Sequence, residues 1–391
     1  MVSSSTTGPS TMPLTAAETT LVAQATTLAR EQISPNAARW ERERRIGHEA
    51  LQAAVALGLT RLQLPISAGG LDLSFSCKAL VAEALAGGDF GFAMSWVNTH
   101  NVAAKLARDA APPLAARYVP DLVAGRRLGC TALTEPGAGS DFAAITTLAT
   151  KVDGGWRIDG AKAWITNAAE ADVVVLYAQT SPGSGGRGIA GFLVDGRRAG
   201  FEREPAFALG GQHTIGTGGF RLAGYLASDD ELLHPPGQAF KAALGSINGA
   251  RTYIAAMCCG MVGDALRVAT AYGRQRSAFG QPLAEHQGWR WRLAEAASEL
   301  AACRLMVAEA ARLIDAGQNA APATQLAAAQ AKLLASRMAD RQLPALAQAM
   351  GAEGLREHQP FARHLMGARV AGFVDGSTEM LLERICAALP I

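Results

Sequence analysis

Residues suited to chemistry gather in four short segments. In FVDGSTEM, residues 373–380, the carboxylate of Asp375 stands between the apolar pair Phe373 and Val374 and the glycine Gly376. An acid so placed can serve as a general base, or simply occupy a turn, because Asp before Gly is a common turn pair. In ALTEPGAGSD, residues 132–141, a short apolar segment runs into Pro136, Gly137 and Gly139, which leave backbone amides uncovered. Those amides, with the Thr134 and Ser140 hydroxyls, can hold a phosphate or a polar ring edge. A glycine-rich hairpin loop is the plainer alternative. The segment is not GxGxxG and no helix of a βαβ unit follows, so a dinucleotide-binding Rossmann fold is a poor match. In AKAWITN, residues 161–167, Trp164 and Thr166 lie two apart on an expected strand and so share a face. A planar indole beside a hydroxyl could line a flat heterocycle; a core tryptophan is the simpler reading. In GRQRSAFGQPLAEHQ, residues 273–287, Arg276, Phe279 and Gln287 offer a cation, an aromatic face and an amide. That set suits a pyrophosphate and an adenine, since guanidinium pairs bidentately with phosphate. A helix C-terminus with its arginine serving the macrodipole explains it equally well.

Composition removes several other classes. The chain has 391 residues, 49% hydrophobic, which is ample for a large core and for more than one domain. Net charge is +2, and WERERR (40–45) mixes both signs, so nucleic-acid binding has no electrostatic support. Six cysteines are scattered without CxxC spacing and seven histidines lack HExxH, so no metal site and no disulfide framework is expected. The cysteines read as buried free thiols. The start, MVSSSTTGPSTMP, has no basic-then-apolar signal pattern, and its first arginine is Arg30, which argues against a transit peptide. No uninterrupted apolar run reaches membrane-spanning length, so no integral membrane segment is expected. The expectation is a cytoplasmic protein with residues 1–13 disordered.

The elements that must position the four segments change texture twice. From Leu14 the pattern is helical, with Thr15–Glu18 as a capping box, apolar residues at Leu21, Ala25, Leu28 and Ile33, and Pro35 as the stop. Helices are expected over 47–57, 76–86 and 90–122, with a loop at 62–74. From Leu128 to about Leu233, short strands bounded by turn residues imply a β domain, a small barrel or sandwich. After HPPGQ (234–238) the helical period returns and stays, implying a bundle of long helices. The expected domains are helical over 14–127, β over 128–236 and helical over 237–391, an α+β chain with no βαβ alternation.

Taken together, the segments resemble the acyl-CoA dehydrogenase family over nearly the full length. TALTEPGAGSDF is similar to the family's first signature, and GGWRIDGAKAWITNAAEAD to the strands after it. RQRSAFGQPLAEHQ is similar to its helix-to-loop FAD segment. QAMGAEG (348–354) is similar to a later flavin segment, with Ala352 where the family usually has Gly. FVDGSTEM lies where the family has an aromatic, a glutamate, Gly and Thr. SAGGLDLS and YVPDLVAGRRLG also have counterparts.

The resemblance implies an N-terminal helical domain, a middle β domain and a C-terminal four-helix bundle, assembled as a homotetramer or homodimer with FAD held between subunits. It places Leu133, Thr134 and Ser140 by the flavin and its phosphates, Trp164 against the isoalloxazine, and Thr166 near the reactive flavin nitrogen. It assigns Arg276, Phe279, Gln287, Gln348 and Gly351 to the pyrophosphate and adenine part, and Ser377 and Glu379 to flavin contacts after the acid. Ser140, Asn248, Arg251 and Gly376 would face the substrate, an acyl-CoA or an acyl-carrier-protein thioester. The family often has an acidic residue in place of Asn248. An electron-transfer flavoprotein is the family's usual acceptor.

In this family a carboxylate removes the thioester α-proton while the β-hydride leaves to the flavin. Burial against Phe373 and Val374 would raise the acid's pKa and ease transfer. A backbone amide at the acid and a flavin ribityl hydroxyl stabilise the charge developing on the carbonyl oxygen. At the base position this chain has Asp375 where glutamate is usual, one methylene shorter, so its oxygens withdraw by roughly 1.5 Å. A misplacement of about 1 Å can cost on the order of 10²-fold in rate. The alternative base position of some members, aligned on Arg251, is Ala250 here and supplies no substitute. Three readings follow. Asp375 is a working base for α,β-dehydrogenation; or the site is turned to elimination or flavin-dependent monooxygenation; or Asp375 is a turn residue in a protein that binds flavin or acyl ligand without turnover.

Overall fold

The computed structural model describes residues 14–389, so the expectation for residues 1–13 lies outside them. Six helices come first: α1 Ala16–Leu28, α2 Ser34–Glu43, α3 His48–Ala56, α4 Phe75–Gly88, α5 Phe90–Asp109 and α6 Pro112–Val123. Eight strands follow: β1 Gly129–Ala132, β2 Leu148–Val152, β3 Gly155–Ile165, β4 Val173–Gln179, β5 Ile189–Asp195, β6 Phe201–Arg203, β7 Gly218–Ser228 and β8 Leu232–His234. Then come α7 Ala239–Gln275, a hairpin of β9 Ser277–Ala278 and β10 Gln281–Pro282, α8 Gln287–Asp315, α9 Pro322–Ala349, α10 Phe361–Phe373 and α11 Thr378–Cys386. The order is helical, then β, then helical, the α+β arrangement expected.

Two units can be described separately. A sheet unit comprises Asn36–Leu73 and Gly91–Ile247, and a helical unit residues 14–35, Ser74–Phe90 and 248–389. In the sheet unit the strands run β6-β7-β3-β2-β4-β5-β8, with β1 added to β4. VVVLYAQ and IAGFLVD, the sequences of β4 and β5, are buried at every position, which explains their unbroken apolar character. Val102, Leu106, Tyr118 and Leu122 of α5 and α6 pack with Val173, Val175 and Tyr177 of β4. β1 and β2 share one edge of β4, β1 along Val173–Leu176 and β2 at Gln179, both parallel to it. Residues 133–147 must therefore leave the sheet and return to the same edge.

In the helical unit, Thr15 caps α1 in a complete capping box with Glu18, as its local sequence dictates. Pro35 does not end the segment. A π-helical turn over Ala29–Ile33 precedes it, and Pro35 becomes the second residue of α2, where a missing amide costs little. The carboxylate of Asp315, last in α8, accepts from the amides of Phe75 and Ser76 at 2.6 and 3.1 Å and so closes the start of α4. Five of the six cysteines are buried free thiols; Cys386 is exposed, on the amphipathic last helix. By length and composition alone α7 could cross a membrane, but 61% of its apolar window is buried in the fold, as in the core helix of a soluble protein.

Candidate active site

In the sheet unit, loop 133–147 is pinned by a buried ion pair. Glu135 and Ala138 exchange both backbone hydrogen bonds, which throws Pro136 and Gly137 outward. The Glu135 side chain turns inward. It accepts from the Thr146 amide and hydroxyl at 2.7 and 2.8 Å, from the Thr147 amide at 2.9 Å and from the Lys162 ammonium at 2.9 Å. Lys162, with no exposed side-chain surface, also donates to the Leu133 carbonyl at 2.9 Å. The Ala163 amide donates to the Thr134 carbonyl at 3.2 Å. Leu133 and Thr134 are thus held against β3 immediately before Trp164. Burial by itself would raise the Glu135 carboxyl; the Lys162 charge and the threonine donors override it and hold it at about 2. Burial draws Lys162 down to about 8, with Glu135 opposing. Neither residue stands out in the sequence, although a lysine and a glutamate inside apolar, glycine-rich segments are a signal of buried pairing.

Trp164 does not share a strand face with Thr166. The register of β3 on β7 breaks between Lys162 and Ile165, Trp164 has φ +61°, and β3 ends at Ile165. A bulge of this kind re-aims a side chain. The indole is 60% exposed and meets the Phe207 ring edge-to-face at 4.9 Å. Asn167, also left-handed at φ +66°, is buried and donates to the carbonyls of Ser95 and Gly129 at 3.0 and 2.9 Å, which anchors the end of the segment. Thr166 is half-buried and Ser140 exposed.

In the helical unit, Val374–Ser377 link α10 to α11. Asp375 has φ +54° and Gly376 φ +101°. A Cβ on Gly376 would crowd the Arg251 guanidinium at 3.3 Å, and the backbone conformation is one that glycine adopts without strain. Three successive carbonyls face cations: those of Val374 and Gly376 accept from the Lys332 ammonium, and that of Asp375 from Arg251 Nε at 3.1 Å. Asp375 is half-buried, and desolvation pushes its carboxyl up while Lys332 and Arg251 pull the other way. Phe373 is 74% exposed, so the expected burial against its ring is not the source of the shift. The turn reading and the acid reading coincide at this residue.

The structure places the other expected residues unequally. Asn248 is buried and donates to the Asn319 carbonyl at 2.7 Å. Arg251 is buried and committed to the Asp375 carbonyl. Ser377 caps α11 by accepting from the Met380 amide at 3.5 Å, and Glu379 is exposed in its first turn. Segment 276–282 is a β-hairpin rather than a plain loop. Phe279 and Gly280 at its tip have φ +53° and +82°, and Phe279 is 98% exposed. Such a conformation is unusual for an aromatic residue. The Trp289 indole donates to the Ala349 carbonyl at 2.9 Å, drawing the start of α8, with exposed Gln287, toward the end of α9, where Gln348 and Gly351 are exposed. Arg276 is exposed at the hairpin base.

Comparison with known proteins gives this arrangement a context. Family profiles described as acyl-CoA dehydrogenase N-terminal, middle and C-terminal domain match residues 15–126, 130–224 and 237–389. The chain is 32% identical over 368 residues to a mitochondrial short-chain specific acyl-CoA dehydrogenase of Bos taurus, covering 92% of this chain and 86% of that one. Among solved structures it is similar to butyryl-CoA dehydrogenase from Megasphaera elsdenii, with TM-score 0.88, 27% identity and 96% and 98% of the two chains covered. It is also similar to a glutaryl-coenzyme A dehydrogenase in complex with glutaryl-CoA, with TM-score 0.90, 28% identity and 96% and 95% covered. A left-handed acid between two helices, an exposed indole on a bulged strand and three matched domains in order lead to one assignment: the chain belongs to the acyl-CoA dehydrogenase family.

Proposed function

We propose that this protein is an FAD-dependent α,β-dehydrogenase of acyl thioesters, carried on coenzyme A or on an acyl carrier protein, with Asp375 as the α-proton base. The observation that carries the reading is the acid itself: a carboxyl of raised pKa on a backbone whose three carbonyls are held by Lys332 and Arg251. A base must approach the weak acidity of its substrate, and desolvation supplies that shift.

The residues present fit FAD. The bulge holds an exposed indole for a flat ring, and positions Gly137 and Gly139 of the pinned loop have open space around them, leaving backbone approachable. Leu133, Thr134, Ser140, Trp164 and Thr166 are proposed for the flavin end, and Arg276, Phe279, Gln287, Gln348 and Gly351 for the pyrophosphate and adenine end. When bound, FAD would accept the β-hydride. Asp375 takes the α-proton, leaving the α,β double bond. Among the described residues the Asp375 amide has no hydrogen-bond partner, and it is proposed to donate to the thioester oxygen as charge develops there.

Anaerobic addition of acyl thioesters, on coenzyme A and on carrier protein, should bleach the visible absorbance of the FAD-loaded protein. A full panel of chain lengths without bleaching would sink the reading. Because the base must be ionised, turnover should rise with pH through an apparent pKa above that of an ordinary aspartate, about 3.9. A rate independent of pH between 4 and 8, on the order of the usual assay window, would contradict it.

Asp375→Glu sets reach against backbone. The added methylene advances the carboxylate by roughly 1.5 Å. The left-handed conformation is better tolerated by Asp than by longer side chains, so a stability loss of about 1 kcal/mol is expected. Turnover of the native thioester should fall while that of a poor one rises; a parallel change in both would count against a site matched to the short acid.

A homotetramer or homodimer in the cytoplasm, passing electrons to an electron-transfer flavoprotein, completes the proposal. The fully exposed Phe279 supports assembly, since an aromatic ring held outward in a left-handed turn gains only from a partner surface. Phe279→Ala should weaken FAD retention about tenfold, the scale of one lost aromatic contact. Equilibrium dialysis of FAD, with sedimentation of the loaded protein, measures both.

A further inference from the structure

We infer that Lys332 is a positioning residue of this reaction, holding the acid loop by its backbone and tuning the acid's ionisation. The inference rests on the assignment of Asp375 as base. Lys332 lies mid-way along α9 in the run AKLLA and is fully buried. An ammonium is not placed on a buried helix face without partners. Its partners are not carboxylates: among the described residues Lys332 forms no salt bridge, and it donates instead to the carbonyls of Val374 and Gly376. These flank Asp375, whose own carbonyl is taken by Arg251. Carbonyls just past a helix end lack intrahelical donors and carry the negative end of the helix dipole, so a cation there caps α10.

The consequence falls on Asp375. Its left-handed backbone is clamped on both sides, so the Cα from which a short side chain must reach is fixed. An aspartate has one rotor fewer than a glutamate with which to correct an error in that Cα. The charge acts as well. Lys332 faces Asp375 in the loop and Cys258 and Arg251 on α7, Arg384 of α11 faces Arg251, and Asp340 of α9 faces Cys258. Of the groups that act on Lys332 itself, Asp375 is the carboxylate, so loss of the ammonium would make Asp375 easier to protonate. Burial draws Lys332 itself down to about 8.

The test compares wild type, Lys332→Met and Asp375→Asn as FAD-loaded proteins, measuring kcat and KM for a thioester that bleaches the flavin, from pH 5 to 9.5. Lys332→Met should lower kcat by about 10²-fold, the scale of a 1 Å misplacement, with KM within about threefold. Its acid limb should move to higher pH by about one unit, as expected for losing one nearby opposite charge. The wild-type kcat should fall above about pH 8, and Lys332→Met should lack that limb. A wild-type kcat flat to pH 9.5 overturns the inference even if Lys332→Met does not fold. So does a folded Lys332→Met with unchanged kcat, or one whose kcat falls with its acid limb unmoved, which is a structural loss alone. If Asp375→Asn keeps turnover, the base assignment fails and this inference with it. If Asp375→Asn is inactive while Lys332→Met matches wild type, this inference alone fails.

Discussion

Asp375→Asn is expected to lower kcat by about 10²–10⁴-fold, the usual contribution of a positioned general base, with little change in FAD binding. Asparagine is the least disturbing replacement. It has the same shape, and it tolerates the left-handed backbone at φ +54°. The Val374, Asp375 and Gly376 carbonyls would keep their donors, because those bonds involve no side-chain atom of residue 375. Stability should not suffer either. The folded-state pKa of Asp375 is raised, so the folded protein binds its proton more tightly than the unfolded chain does. That contribution favours folding at low pH and is lost as pH rises through the folded pKa; at neutral pH the ionised, desolvated acid is a cost that Asn removes. Single-turnover flavin reduction and a denaturant titration at neutral pH separate the two effects. A variant that is inactive because it has unfolded would not support the assignment, and one that bleaches at the wild-type rate would refute it.

Glu135→Ala should destabilise the protein by about 3–5 kcal/mol, the cost of stranding a buried charge. Lys162 has no exposed side-chain surface, and without Glu135 its ammonium would keep only the Leu133 carbonyl. The Thr146 and Thr147 amides would lose their acceptor too. Loop 133–147 should loosen, and FAD retention should fall with it. Glu135→Ala combined with Lys162→Met should recover a large part of the stability, because the stranded charge is then gone. Full additivity of the two losses would show that the pair is not coupled. Acid sensitivity offers a second check. Glu135 is held at about 2 against an ordinary value of 4.5, so its stabilisation is present above about 4.5 and is lost as pH falls toward 2. Glu135→Gln should flatten the stability profile across that window.

What could be read in advance was local. Thr15 and Glu18 sit three apart and complete their cap without help from the rest of the chain. The buried runs of β4 and β5 announce themselves by composition, and the motif segments carry the family resemblance. What could not be read was long-range or depended on backbone irregularity. Pro35 reads as a stop only if the preceding helix is α-helical, and a π turn makes it an ordinary second residue. Strand alternation predicts a shared face for Trp164 and Thr166 only while the register holds, and it slips between Lys162 and Ile165. Lys332 finds its carbonyls 42 and 44 positions away, and Lys162 finds Glu135 27 away, distances at which no local pattern operates. Arg251 shows the same limit. Its resemblance points to a substrate contact, while the fold commits its Nε to the peptide of the acid.

The bulge that turns Trp164 outward also makes the protein its own optical reporter. Trp40 and Trp96 are enclosed and should emit at short wavelength, whereas an indole in water emits further to the red. Trp291 is equally exposed and shares that emission, so the Trp164 component is the difference between wild type and Trp164→Phe. A yellow cofactor bound against Trp164, as proposed, should extinguish that difference component on loading.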